Sequence, residues 1–343
     1  MTIAIQDTAA PRSPANLALH GRIAKYGLLG LALLAYPLMA SDFWIVQIGA
    51  QTLFMGTIAL SLMWLGGYGG MVSLAQLTFA GVAAYMVAVF GVSNRPDISL
   101  GWEWWAAIPV ALLIATAFAT ITGMLAARTE GIYTIMITLA IAVAFSLFCR
   151  QNYAIFNGFA GFAGLKPPSL FGLDLRAPLP FYYLSLAFAA AAYAGVVYVT
   201  RSTFGLALQA VRDNPRRMRA IGFNVYAHRV AAYAMSGLLA AVGGLLLAWF
   251  NGRISPGTIA AGPCINVLVM AVLGGMVHPI GPYVGALVFI LLQNFAIDLI
   301  DPERFNLVIG VAFLIIVLAS PDGLVGLWQR MTRRRPEGGS TQR

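Results

Sequence analysis

Ten apolar runs, most of them as long as a bilayer is thick and nearly empty of charge, decide what this chain can fold into. They fall at 26–40, 45–65, 71–92, 104–127, 132–150, 181–200, 230–251, 262–277, 283–300 and 305–320. A membrane span needs roughly 17 to 25 residues, and inside hydrocarbon every main-chain N–H and C=O must find a partner within the protein. Helix is the form that meets both demands. The sequence therefore predicts an all-α polytopic membrane protein of about ten transmembrane helices. The run at 262–277 is short, ends in Gly274-Gly275 and is followed by Pro279 and Pro282, so a broken or re-entrant helix is the alternative there. The first run carries Leu38-Met39-Ala40, which loosely matches a signal-peptide cleavage site. Retention is the expectation, because it preserves the charge parity set out below.

Only 10% of the residues are charged and 60% are hydrophobic, against about a quarter charged in soluble domains. The acids lie between or beside the apolar runs, with Asp298, near a helix end, the nearest approach to an intramembrane carboxylate. A transporter driven by ions or protons usually keeps an ionisable group inside the bilayer, so this distribution counts against that class. The net charge of +9 sits in loops and tails. It speaks to orientation on an anionic inner leaflet, with membrane lipid as the partner rather than nucleic acid. No glycine-lysine pair offers a phosphate-binding loop. His20, His228 and His278 are scattered, and Cys149 and Cys264 are far apart in sequence, so no catalytic site, metal site or disulfide framework is expected.

Positive charge is densest at residues 201–229, where Arg201, Arg212, Arg216, Arg217, Arg219 and Arg229 face one acid, Asp213. The positive-inside rule makes this loop cytoplasmic. Ten spans then place both termini inside and divide the chain into an N-terminal tail (1–25), a transmembrane domain (26–320) and a basic C-terminal tail (321–343). Within the loop, Asn214-Pro215 reads as an N-cap and first helical residue, and Gly222 as a left-handed stop. In the two-turn helix between them, Met218 and Ile221 fall about 60° apart, forming an apolar knob ringed by arginines. A plain solvated basic loop fits the charges equally well, but it does not explain the caps.

Short motifs recur in order over residues 52–326. They are Ser73-Leu74-Ala75-Gln76 with Phe79, Gly81, Ala84 and Tyr85; Gly131-Ile132-Tyr133 leading to Thr138-Leu139-Ala140; and Asn157-Gly158 with Gly164-Leu165 and Pro168-Ser169-Leu170-Phe171-Gly172. The 212–222 loop follows, then Ile254-Ser255-Pro256, then Val272-Leu273-Gly274-Gly275 continuing to Gly281-Pro282 and Gly285-Ala286. In number and order these resemble the ATP-binding-cassette permeases for branched-chain amino acids, specifically the larger of the two permease subunits. The resemblance implies a transport subunit rather than an enzyme, in a bacterial-type inner membrane. It implies as partners a second permease subunit, two ATPase subunits that bind ATP and Mg, and an external substrate-binding protein; this chain itself needs no cofactor. It also implies that the basic loop, here Arg212, Asp213, Arg216, Arg217, Met218, Ile221 and Gly222, docks into a groove on the ATPase. Arg217 and Met218 stand where the family pattern has a pair of small residues.

For a translocation path the sequence offers Ser73, Gln76, Thr78, Tyr85, Tyr133, Thr138 and Asn266, uncharged polar or aromatic residues within apolar runs. Such a lining can pass an amino-acid zwitterion without holding it tightly. Ordinary interhelical hydrogen bonding, worth about 0.6 to 2 kcal/mol each, is the alternative reading of each one. Branched-chain amino acids are the default cargo; urea, short amides and aromatic acids are the alternatives, since Ala75 and Ala83 stand where glycine is usual. A self-contained secondary transporter is the competing class, and it would require an ionisable group within the spans.

Overall fold

The computed structural model describes residues 30–168, 174–299, 310–311, 314 and 323–327. Most of the expected span at 305–320, the tails, the Asp298 side chain and Ser169 to Gly172 lie outside the described residues. Among the described residues, five helices are long and apolar enough to cross a membrane: α2 (Trp44–Tyr68), α4 (Trp104–Ala126), α5 (Ile132–Gln151), α7 (Pro178–Arg201) and α10 (Val225–Asn251). Further apolar helices are α1 (Gly30–Met39), α3 (Gln76–Phe90), α11 (Ala261–Gly274) and α12 (Gly281–Leu299). A four-residue turn, α6 (Tyr153–Phe156), follows α5, and two short helices, α8 (Thr203–Asp213) and α9 (Pro215–Ala220), lie between α7 and α10. The protein is all-α and polytopic.

Two expected spans take a different form. The run at 71–92 is not helical throughout, because residues 71–75 are irregular and α3 begins only at Gln76. The run at 262–277 yields the 14-residue α11, stopped at Gly275 with φ 105°, a conformation that favours glycine. Broken backbone at membrane depth must be satisfied by protein. Accordingly, the Met71 N–H donates to the Leu65 carbonyl at 3.0 Å and the Leu74 N–H to Thr138 Oγ1 at 3.1 Å.

Helices α2 and α10 form the axis. In each, 67% of the apolar window is buried, against 28% in α4 and α7 and 22% in α5, which turn wide faces outward. Helix α10 packs on α2, α3 and α4, and small residues let it do so: Gly237 faces Ala119 of α4, Gly243 faces Ile58 of α2, and Gly244 faces the Ala80 main chain of α3. A side chain at 244 would meet backbone, which cannot rotate away. Gly244→Val is therefore expected to prise α3 from α10 and cost about 1–3 kcal/mol or more, read as a lower thermal midpoint of the detergent-purified protein. Glycines four residues apart let helices approach closely, and Gly281 and Gly285 do so, with Gly285 seated against Met270 and Gly274. Gly66 and Gly70 share that spacing but do not make such a pair. Gly66 lies beside Met276, and Gly70, past the helix end, has φ 69°.

At about 1.5 Å per residue, α10 spans on the order of 40 Å and separates two faces. Beyond its C-terminal end, β2 (Arg253–Ile254) pairs antiparallel with β1 (Phe162–Ala163), Phe162 opposite Ile254. Asn94 joins this ribbon through two 2.9 Å bonds with Ala163, so the loops around 94 and 160 share that face. At the N-terminal end, Arg229 pairs with Glu130 at 3.1 Å and donates to the Ala127 carbonyl at 3.3 Å. The turn after α4 and the basic loop thus share the opposite face.

Candidate functional site

The basic loop is built from local signals. Ser202 caps α8, accepting from the Gly205 N–H at 3.3 Å, and α8 buries Leu208 and Val211. Asn214 Oδ1 accepts from the Arg217 N–H at 2.9 Å, Pro215 opens α9, and Gly222 follows it with φ 91°. The expected knob of Met218 and Ile221 is corrected in one respect. Met218 is 7% exposed, clustered with Val211 and Val225, whereas Ile221 is 63% exposed. The cause is tertiary: α8 and α10 each supply a valine to the side of α9 that carries Met218. The outward apolar surface is Ile221 with the half-exposed Phe223, set among exposed Arg216, Arg217 and Arg219.

Arg212 points elsewhere. Its Nε and Nη2 hold Asp213 at 2.9 and 2.8 Å, and its Nη1 donates to the Gly67 carbonyl at the end of α2. That end is a π-helical turn, Trp64–Tyr68, a form that is rare and concentrated at functional sites.

The seven polar residues singled out for a path do not form one lining. Ser73, Gln76 and Thr138, all buried, gather at the broken entry to α3. Thr138 is committed to main chain, accepting from Leu74 and donating within its own helix at 3.0 Å. Thr78 faces Cys264 of α11, Oγ1 to Sγ 3.8 Å. Tyr85 lies near the ribbon face, its ring centroid 5.2 Å from that of Phe156 and 6.3 Å from that of Phe162. Tyr133 is 66% exposed at the start of α5, and Asn266 is half-buried on α11; neither joins the others.

Around Gln76 the structure adds residues that sequence reasoning missed. Ser61 Oγ of α2 lies 2.8 Å from Gln76 Oε1, and Ser236 Oγ of α10 lies 2.9 Å from the same atom. Each serine also reaches a main-chain carbonyl, Ile58 at 2.5 Å and Ser61 at 2.9 Å respectively. Gln76 Nε2, buried, has no hydrogen-bond partner among the described residues. The available signal was a hydroxyl within a long apolar run. No charged side chain is buried among the described residues.

Apolar helices packed round a neutral polar junction, with arginines densest in the loop at one end, make the chain a multi-pass membrane protein. The family follows from comparison: a family model described as the permease component of the branched-chain amino acid transport system matches residues 44–318, and the chain belongs to that family. It is similar to the high-affinity branched-chain amino acid transport system permease protein LivM of Escherichia coli K12, 24% identical over 90% of this chain and 77% of that protein. It is also similar to the ribose import permease protein RbsC of Haemophilus influenzae, 26% identical over 70% of this chain and 75% of that one. A shorter stretch, 30% of this chain and 31% of its counterpart, is 38% identical to the nucleoside ABC transporter permease protein NupC of Lactococcus lactis. No solved structure matches.

Proposed function

We propose that the chain is the membrane-spanning permease subunit of an ATP-driven importer in a bacterial-type inner membrane, with both termini and the 201–229 loop in the cytoplasm. The loop docks on one of two ATPase subunits, which hold ATP and Mg; a second permease subunit completes the pathway, and an external binding protein delivers solute. The cargo is a small amino acid with an apolar side chain, branched-chain amino acids first. The observation that carries this reading is the basic loop: a capped helix, anchored from within by Met218, presents Ile221 outward among free-standing arginines. Energy must come from elsewhere, since the described spans bury no ionisable carboxylate or amine that would couple uptake to an ion gradient.

Affinity purification in mild detergent, with mass spectrometry, is expected to recover a second permease and ATPase subunits. Labelled leucine uptake by the reconstituted complex should then require ATP and the binding protein. Ribose and urea serve as competitors, and preferential inhibition by either reassigns the cargo. Uptake by the purified chain alone under a proton gradient, without ATP, would return the secondary-transporter reading.

A further inference from the structure

The contact between Arg212 and the end of α2 gives the basic loop a connection into the membrane domain. Three features coincide there. The Arg212 guanidinium bridges Asp213 of its own helix and the Gly67 carbonyl. Its side-chain stem crosses Gly70, where an added Cβ would lie 2.5 Å from Arg212 Cγ, and Gly70 sits at φ 69°. Finally, the backbone it grips departs from α-helix, as the first turns of α2 at Trp44–Ala50 also do: the π-turn Trp64–Tyr68, then Gly69 and Gly70, then irregular residues up to Gln76.

From that geometry we infer that Arg212 is a positioning residue for transport: it ties the basic loop to the hinge at 67–75, so that displacement of the loop is relayed along the chain to the Gln76 junction. The inference rests on the proposed docking of the loop to an ATPase and names the element that carries the motion inward. The chemistry suits guanidinium alone. Its planar fork can serve a carboxylate and a carbonyl at once, whereas an ammonium is a point charge that holds one partner well. The hinge suits its task as well, because glycine at 70 both adopts the left-handed conformation and leaves room for the arginine stem. Eight residues of main chain separate Gly67 from Gln76, so a shift at the carbonyl reaches the buried junction without crossing a rigid helix.

The test uses the whole complex reconstituted in liposomes, with two independent variants. Arg212→Gln removes the bridge, and Gly70→Ala displaces the arginine stem while leaving every charge in place. For each, ATPase co-purification, ATP hydrolysis and labelled leucine uptake are measured together. The expected result is that the ATPase stays bound while leucine moved per ATP hydrolysed falls at least tenfold in both, with Arg212→Lys intermediate. A wild-type ratio in both variants overturns the inference. So does loss of the ATPase from the complex, which would assign Arg212 to the docking surface instead. Should Arg212→Gln fail to fold, by thermal midpoint and size exclusion, Gly70→Ala decides alone. Failure of the unmodified chain to retain an ATPase rejects the underlying docking role, a result separable from all of these.

Discussion

Ile221→Asp is expected to abolish ATP-driven uptake and to release the ATPase from the detergent-solubilised complex. Ile221 is 63% exposed on the rim of α9 and is the most outward apolar side chain of the loop's tip. An apolar side chain at the centre of a docking contact, ringed by polar groups, typically contributes about 2–4 kcal/mol, or roughly 30- to 1000-fold in affinity. Aspartate removes that contribution and adds a carboxylate whose desolvation the groove would have to satisfy. The control is Met218, one turn away and buried against Val211 and Val225. Met218→Leu conserves volume and should cost less than about 1.5 kcal/mol, with docking retained. Met218→Asp should also uncouple the complex, by a different route: it opens α9 from within, and this registers as faster proteolysis of the loop in the isolated permease. Ile221→Asp should leave that proteolysis unchanged. If Ile221→Asp keeps the ATPase bound, α9 is not the docking element.

The contrast between these neighbours shows where sequence reading stops. Helix α9 was legible from Asn214, Pro215 and Gly222, because caps are local and each satisfies its own neighbours. Which of Met218 and Ile221 turns inward was not, because Val211 and Val225 belong to other helices. Long helices such as α4, α5 and α7 follow the apolar runs within a few residues, since hydropathy and length suffice for them. The start of α3 was misplaced for the converse reason. Met71 to Ala75 are apolar or small, and hydropathy does not register that their backbone leaves the helix. Gly69-Gly70 was the signal, and its meaning depended on Thr138, 64 residues away from the N–H it satisfies. Ser61 and Ser236 were invisible as partners of Gln76, since a serine within an apolar run is as readily bonded to its own helix.

Gln76→Met is expected to leave the protein folded and to lower uptake at least tenfold. Ser61 and Ser236 have one hydroxyl proton each, and each lies beside a main-chain carbonyl as well as Gln76 Oε1. With both protons given to the carbonyls, the serine oxygens are acceptors, which the two protons of the Gln76 amide nitrogen would satisfy. The amide carbonyl is then left over; in the opposite orientation the nitrogen is, as Nε2 is here. Either way one polar atom of a side chain only 1% exposed faces the three-helix junction without a partner. A buried group in that condition costs about 1–3 kcal/mol, so Gln76 is a poor device for stability alone. It suits a residue that acquires its missing partner, water or the passing solute, when the junction between α2, α3 and α10 opens. Methionine fills similar volume without polar atoms and leaves both serines donating to backbone, so the thermal midpoint should hold or rise. With solute delivered as proposed by an external binding protein, apparent affinity should change little while maximal rate falls. A midpoint that collapses together with uptake would make Gln76 a helix clasp, and unchanged uptake would remove it from the path.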